Sequence, residues 1–313
     1  MIKKVIRRLS GVFNRYLLVP LQFLWVPLVA WTISVLCPGN SAYKYFSRHG
    51  LHLLRKHFYL PIPDDEDLNE CFWSSTSELP GIKIDEEEMF GLVEKKLAPY
   101  NEEFRKFPVH APNNKMEGFY LINGGFMAVD GNLYYGLVRF LKPKKIIEVG
   151  CGISSVLCLE ALKKNKDESV ITTDYLAIEP FPQWYLKSET CAGLDLLEER
   201  IQNVPLSKFT ELSAGDILFI DTTHVLRMGG DVQHIYCEIL PRLSPGVYVH
   251  IHDISLPRPY PKVYYEECQY FWNEQYLLQA YLCHNSKVDV VWAGNLLNVK
   301  QQERLMKVFP EFG

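Results

Sequence analysis

The sequence has no dense run of basic residues after its first fifteen positions. Its 33 lysines and arginines are outnumbered by 37 aspartates and glutamates, and the formal net charge is -4. Proteins that bind nucleic acid usually carry a basic patch that neutralises phosphates, so we predict no nucleic-acid partner. Internal repeats and low-complexity tracts are also absent, and 313 residues are enough to bury a sizeable core.

Cysteine is present but has no regular spacing. The eight cysteines are scattered along the chain and form no CxxC pair. Structural zinc clusters and disulfide frameworks both depend on such spacing, so the sequence predicts neither of them. A reducing compartment fits this use of cysteine best.

Charge is missing altogether between Tyr16 and Tyr43, a stretch long enough to span a bilayer. Pro20 and Pro27 interrupt it, and basic residues flank both of its ends. A single span would place the rest of the chain outside the cell, because the leading basic residues favour the cytoplasm. A segment that lies in the membrane interface, or folds back as a hairpin, is the prediction we prefer. A buried helical hairpin is the alternative.

Three regions follow one another along the chain. Residues 1–60 are predicted as the membrane-associating helical segment, 61–128 as a helical lid or adaptor, and 129–313 as a domain of alternating strands and helices. Such alternation predicts an α/β fold with a doubly wound, Rossmann-like parallel sheet, whose ligand lies at the carboxyl ends of the strands. The strand candidates are 145–149, 170–179, 200–204, 216–221, 247–252 and 288–293.

A glycine-containing turn follows the first strand in KKIIEVGCGISS, residues 144–155. Gly150 and Gly152 allow the backbone to approach a ligand closely. The dinucleotide pattern G-x-G-x-x-G has Ser155 at its third glycine, so a nicotinamide-dependent oxidoreductase is only an alternative. The form E-x-G-x-G, which begins at Glu148, resembles the first motif of class I S-adenosylmethionine-dependent methyltransferases.

The resemblance extends to later segments, from about residue 119 to 297. Their order resembles that of a bacterial group of methyltransferase-domain proteins, several of which have an apolar N-terminal segment. It implies the fold and S-adenosylmethionine as cosubstrate, but it identifies no acceptor. The segments are FLKPKKIIEVGCG, AIEP, DILFIDTTHV, ILPRLSPGVYVHIHDI, LPRPYP and FWNEQYLLQAYL.

The same resemblance implies which residues surround the methionine part of the cosubstrate. They are Glu148, Gly150, Gly152 and Ser154, and Asp221 is expected to border the cosubstrate from the fourth strand.

Other residues are expected at the ribose and the adenine. An acid at the end of the second strand usually binds both ribose hydroxyls, and we assign this role to Glu179, with Asp174 as the alternative. After the third strand the family often has an acid near the adenine. This chain offers Gln202 and Asn203 instead, which can still hydrogen-bond an amino group.

A cluster of acids and histidines is predicted where the fourth and fifth strands end. Asp221 and Asp253 follow these strands, and His224 and His252 lie close to them in sequence. Because parallel strands end at one edge of a sheet, we expect these four side chains near the reacting groups. His250, deeper in the same strand, is expected to be structural.

Three interpretations of this cluster remain open. In a magnesium site, which the resemblance to catechol-type enzymes implies, Asp221 and Asp253 would hold the cation, although Ile254 stands where those enzymes have asparagine. In a metal-free site, His252 or His224 would be the general base. In the third interpretation the histidines are structural.

The function predicted from the sequence is methyl transfer to an oxygen of a small-molecule, glycan or lipid-linked acceptor. Arg258, Tyr260, Tyr264 and Trp272 are candidates to contact that acceptor. A cytoplasmic location, either free or on the cytoplasmic side of a membrane, suits the cosubstrate. A membrane-associated protein that keeps the fold without catalysis is the remaining alternative, and the oligomeric state is left open.

Overall fold

The computed structural model describes residues 22–36, 40–54, 56, 59–111, 118–169 and 171–310. The chain divides into two units, Met1–Pro63 and Asp64–Gly313. The described part of the first unit contains the helices Gln22–Leu36 and Asn40–Arg48. Among the described residues no helix is both long and apolar enough to cross a membrane. The first part of the predicted apolar segment, up to residue 21, lies outside the described residues.

Five parallel strands form one sheet in the order β3-β2-β1-β4-β5. The strands are β1 Lys145–Val149, β2 Asp174–Ile178, β3 Asp195–Leu197, β4 Ile217–Ile220 and β5 Tyr248–Ile251. Because the chain winds outward from β1 in both directions, the sheet has its switch point between β1 and β4, where ligands bind in such folds. The predicted doubly wound α/β fold is confirmed.

Helices cover both faces of the sheet. Alternate residues of β1 explain the two cores, because Ile146 packs with one helical layer and Ile147 with the other. The α-helices of this unit are Glu70–Trp73, Glu86–Gly91, Ala98–Phe104, Ala128–Leu141, Ile153–Ser169, Leu206–Thr210, Asp231–His234, Lys262–Glu266, Glu274–Leu282, Gly294–Lys300 and Gln302–Val308. The π-helical turns Leu92–Leu97 and Ile235–Ile239 continue two of them.

Residues 64–111 and 118–128 of the segment predicted as a lid or adaptor belong to the second unit. Phe104 is fully buried in the same core as Tyr135, which belongs to the helix before β1. Arg139 binds Glu103 through its Nε, 2.8 Å from Oε2. The described residues after Asp64 are therefore joined to the sheet by both apolar and ionic contacts.

Two predicted strands are wrong. The third strand is Asp195–Leu197, and the predicted segment 200–204 contains the 3₁₀-helix Ile201–Asn203. Ile201 and Val204 are both buried, and this three-residue spacing matches the three residues per turn of a 3₁₀-helix.

The predicted last strand, 288–293, is irregular and does not pair with β5. Its alternating apolar residues Val290 and Trp292 pack instead against the C-terminal helices, in the core that contains Leu296 and Phe309. The alternating pattern therefore indicates that one side of this segment is buried. An irregular segment can bury one side in the same way as a strand.

Candidate active site

The glycine turn after β1 lies directly against the end of β4. The Asp221 amide donates to the Val149 carbonyl at 2.8 Å, and the Gly150 amide donates to the Ile178 carbonyl at 3.0 Å. Gly150 has a φ of +82°, and a Cβ there would lie 1.5 Å from the Asp221 carbonyl oxygen. Glycine is therefore required at this position, because neither the backbone conformation nor the space admits a side chain.

Gly152 leaves the turn open on the ligand side. A Cβ at this position would meet only the Tyr185 hydroxyl, at 3.8 Å. The helix Ile153–Ser169 starts at the next residue, so the positive end of a helix lies beside this turn. This arrangement fits the carboxylate of the predicted cosubstrate.

Glu148 and Ser154 support the turn from inside the protein. Both are buried, and the Ser154 hydroxyl donates to Glu148 Oε1 at 2.6 Å. The Tyr175 hydroxyl donates to the other carboxylate oxygen. Burial raises the pKa of Glu148 to about 7, against the opposing effect of the Ser154 and Tyr175 hydrogen bonds. The two side chains are thus held by each other and by Tyr175 rather than exposed at the opening.

Glu179 lies where the sequence predicts the ribose ligand. It follows β2 directly, and its carboxylate accepts from the Phe181 amide at 2.8 Å and from the Cys151 amide at 3.4 Å. Asp174, the alternative, begins β2 and pairs in register with Lys145 at the opposite end of β1. The geometry therefore favours Glu179.

The polar residues beyond β3 are occupied by local hydrogen bonds. The Gln202 side chain donates to the Gly229 carbonyl at 2.9 Å, and the Asn203 side chain donates to Glu199 Oε1 at 2.9 Å. Glu199 lies two residues after β3, and the sequence prediction did not include this acid among the residues after the third strand. The pair Glu198–Glu199 after two leucines could have identified it, had the strand been placed at Asp195–Leu197.

The predicted cluster forms at the ends of β4 and β5. His224 Nε2 lies 3.2 Å from Asp221 Oδ1 and 3.7 Å from Asp253 Oδ2. His224 and Asp253 have positive φ values of 56° and 53°. Residues other than glycine rarely adopt a positive φ, and those that do concentrate at functional sites.

A buried glutamate that the sequence prediction did not include holds the other nitrogen of His224. Glu274 Oε2 lies 2.9 Å from His224 Nδ1, and the Glu274 side chain is fully buried. The residue starts the helix Glu274–Leu282, within the segment FWNEQYLLQAYL. An acid among apolar helical residues was the available indication in the sequence.

His252 and His250 differ in their surroundings. The His252 ring is buried against Phe126, with ring centroids 5.0 Å apart, and its Nε2 lies 3.7 Å from Asp253 Oδ1. The His250 ring stacks on Phe219 at 4.3 Å, and burial lowers its pKa to about 3. His252 therefore borders the cluster, whereas His250 is a neutral ring packed on Phe219.

The predicted acceptor-binding aromatic residues form a compact group over His224. The Trp272 ring lies 4.2 Å from the His224 ring, and Tyr270 stacks on Trp272 at 5.3 Å with an angle of 6° between the planes. Tyr260 and Tyr264 contact Trp272 edge-on. Trp272 thus shields His224 from solvent on one side.

Comparison with known proteins agrees with this geometry. A family model described as a methyltransferase domain matches residues 147–254, which run from β1 to the residue after Asp253. Residues 147–254 form a methyltransferase domain. The match implies S-adenosylmethionine as methyl donor. It stops well short of the N-terminus, so the predicted likeness to a group with an apolar N-terminal segment is not borne out.

One curated relative of the chain comes from Archaeoglobus fulgidus. This uncharacterized protein is 28% identical over 163 residues, which is 50% of the present chain and 72% of the relative. No solved structure matches at a significant level.

Charges in the cluster at the ends of β4 and β5 are coupled through His224. Burial disfavours the charged ring, but hydrogen bonds with Asp221 and Glu274 outweigh this effect and raise the pKa of His224 to about 9. Burial would likewise raise the pKa of Asp221, yet the hydrogen bond with His224 holds that pKa below its usual value. At neutral pH the pair is therefore an imidazolium and a carboxylate.

Asp221, His224 and Asp253 have the spacing of a cation site. One ligand atom from each of Asp221, His224 and Asp253 lies within 4.8 Å of the other two. Bonds of about 2.0–2.2 Å to a common ion need only small movements from this spacing. Two carboxylates and an imidazole suit manganese, iron or zinc at least as well as magnesium, which prefers oxygen ligands.

Proposed function

We propose that the methyltransferase domain is of class I and transfers the methyl group of S-adenosylmethionine to a hydroxyl oxygen of a small-molecule or glycan acceptor. The observation that carries this proposal is the meeting of Asp221, His224 and Asp253 beside the glycine turn. A hydroxyl loses its proton as it is methylated, and groups that hold charge and accept protons are needed where that happens.

The cosubstrate would lie across the carboxyl ends of β1, β2 and β4. Backbone at Gly150 and Gly152 would approach its methionine part, while Glu148 and Ser154 stabilise the turn from inside. Glu179 would accept hydrogen bonds from both ribose hydroxyls. Gln202 and Asn203, with Glu199 next to them, would border the adenine.

Methyl transfer itself is an in-line displacement. The methyl carbon leaves the sulfonium sulfur, which keeps the bonding electron pair, and forms a bond to the acceptor oxygen as the hydroxyl proton departs. Positioning of the two reactants supplies much of the rate. The protein's additional task is to receive the proton and to stabilise the developing negative charge on oxygen.

Two forms of the site can perform this task. A divalent cation held by Asp221, His224 and Asp253 would lower the pKa of the acceptor hydroxyl. Without a cation, His224 is already protonated at neutral pH. His252, which lies beside Asp253, is then the proposed general base, and His224 keeps the carboxylates in place.

A large cavity next to β5 supports an acceptor bigger than a simple alcohol. Its volume is about 1390 Å³, and its lining includes Asp130, His252 and Asp253 together with many apolar side chains. Pockets for drug-sized ligands usually measure about 300–1,000 Å³. A glycan, or a sugar on a lipid carrier, would match both the size and the mixed lining.

The experiment that tests the proposal is transfer of an isotopically labelled methyl group. Purified protein and labelled S-adenosylmethionine are incubated with small-molecule, glycan and lipid-linked fractions, and products are identified by mass spectrometry. We expect Asp253→Asn to reduce product formation about 100-fold, whereas Asp174→Asn, at the other end of the sheet, leaves it unchanged. Loss of product with a chelator and recovery with Mn²⁺ or Mg²⁺ would select the cation form. Absence of labelled product in every fraction would contradict the proposal.

We further propose that the first unit lies on the cytoplasmic surface of an anionic membrane. The helix Gln22–Leu36 exposes Leu28 and Val35, which are 62% and 52% accessible. Basic residues before and after this helix suit anionic lipid. We expect Leu28→Asp to weaken vesicle binding about tenfold, and Met228→Asp, on the exposed surface of the second unit, to have no effect. Equal binding of both variants to phosphatidylglycerol vesicles would contradict this proposal.

A further inference from the structure

We infer that Glu274 is a positioning residue that fixes the orientation of the His224 ring, an inference that rests on the proposed function of this site. Glu274 Oε2 lies 2.9 Å from His224 Nδ1, and the side chain of Glu274 has no exposed surface. The residue lies outside 147–254, the part of the chain that the methyltransferase family model covers.

A buried carboxylate of this kind needs an explanation. Transfer of a charged group from water to the protein interior costs several kcal/mol unless the charge is paired. Apolar side chains of similar size would stabilise such a position at least as well. Glu274 is paired with His224. The pKa of the nearby Tyr236 hydroxyl is raised first by burial and second by the Glu274 carboxyl group. A role in holding His224 accounts for the presence of an acidic residue at this buried position.

The backbone around Glu274 is tied to the same loop. The amides of Asn273 and Glu274 both donate to the His224 carbonyl, at 3.0 and 3.1 Å. The Leu226 amide donates to the Asn273 side chain at 2.6 Å. The start of the helix Glu274–Leu282 therefore holds the loop after β4 by main-chain and side-chain bonds together, with Trp272 packed on the ring.

This arrangement determines which nitrogen faces the reaction. The Nδ1 atom of His224 is engaged by the Glu274 carboxyl group, 2.9 Å away. Nε2 is then directed at Asp221 and Asp253, where it can bind a cation or carry a second proton. Carboxylates that orient histidines in this way recur both at metal sites and in hydrolase triads, and their loss typically costs about 10–100-fold at metal sites.

The test replaces the carboxylate by an amide of the same size. In Glu274→Gln we expect kcat to fall about 10–100-fold with an unchanged KM for S-adenosylmethionine, because cosubstrate binding does not involve His224. Glu274→Asp, which keeps a shorter carboxylate, should recover part of the loss. Glu103→Gln is the matched control, since Glu103 holds Arg139 in the same unit and does not contact His224.

A spectroscopic measurement separates this inference from the proposed function. In ¹⁵N-histidine-labelled protein, the Nδ1 and Nε2 resonances of His224, assigned by their loss in His224→Asn, should shift in Glu274→Gln and stay in place in Glu103→Gln. Absence of methyl transfer by the wild type would overturn the proposed function while leaving this measurement intact. Unchanged His224 resonances in Glu274→Gln would overturn the inference, even if that variant lost activity. All variants are compared at a temperature where circular dichroism shows them to be folded.

Discussion

At the scale of single residues, the chemistry of the site depends on His224 because its ring connects three carboxylates from separate parts of the chain. Asp221 and Asp253 approach Nε2 from the ends of β4 and β5, and Glu274 binds Nδ1 from a later helix. Three acids around one buried ring would repel one another without a positive charge between them. A protonated imidazole or a bound cation meets that need.

The raised pKa of His224 predicts how stability changes with pH in chelator-treated protein. The pKa is about 9 in the folded state, compared with 6.5 for an ordinary histidine. A raised pKa stabilises the fold fully below about pH 6.5, and this contribution is lost as the pH rises through 9. Urea unfolding should therefore show His224→Asn to cost on the order of 2 kcal/mol more at pH 6 than at pH 10.

His110→Asn is the control for that measurement, because His110 is exposed and lies outside the cluster. Its effect on the unfolding free energy should be small and equal at both pH values. A cost of His224→Asn that grew with pH would contradict the assigned charge.

Gly150 offers a second test at this scale. Alanine there would have its Cβ 1.5 Å from the Asp221 carbonyl oxygen, at a φ of +82°. We expect Gly150→Ala to destabilise the protein by at least about 3 kcal/mol, through both the clash and the strained backbone. Gly215→Ala, at a φ of +89° with open space around it, should cost only about 1 kcal/mol. Equal costs in urea unfolding would show that the turn is not packed against β4.

At the scale of secondary-structure elements, strand ends bring the site together. β1, β4 and β5 are neighbours, and each is followed by a residue of the site within two positions. β2 adds Glu179 next to the glycine turn, and the helix starting at Glu274 closes the group from outside the sheet. The site therefore depends on the order of the strands more than on any single loop.

The segment after β3 provides a test of its structure. In the 3₁₀-helix Ile201–Asn203, Ile201 and Val204 share the buried side, whereas a strand would place Ile201 and Asn203 on one face. Val204→Ala should therefore cost about 2 kcal/mol in thermal or urea unfolding, and Asn203→Ala less than about 1 kcal/mol. A larger cost for Asn203→Ala than for Val204→Ala would instead support the strand that the sequence predicts.

Strand ends also explain how much of the site could be predicted from the sequence. Asp221 and Asp253 could be predicted because each follows an apolar strand that is recognisable from the sequence by itself. Glu274 could not, since its bond to His224 joins residues 50 positions apart and depends on where a helix packs. The strand Asp195–Leu197 cannot be recognised in the sequence because three residues give too short an apolar pattern. With the third strand predicted at 200–204 instead, the expected adenine-binding position moves to Gln202 and Asn203.

At the scale of the whole molecule, the chain divides into an N-terminal unit and a second unit that contains the residues matched by the methyltransferase family model. The second unit contains the sheet, the glycine turn and the cluster around His224. The helix Gln22–Leu36 of the first unit exposes apolar residues such as Leu28. In the proposal, the first unit keeps the chain at a membrane surface where lipid-linked acceptors are found, and the second performs the transfer.

The central claim is that S-adenosylmethionine binds at the carboxyl edge of this sheet, and isothermal titration calorimetry tests it without knowledge of the acceptor. We predict that the wild type and Asp174→Ala bind S-adenosylmethionine equally, that Glu179→Ala binds it roughly 10–100-fold more weakly, and that NADH does not bind. The two acids stand at opposite ends of β2, so they report which end of the sheet holds the ligand. Unchanged affinity in Glu179→Ala, or binding of NADH without binding of S-adenosylmethionine, would contradict the account.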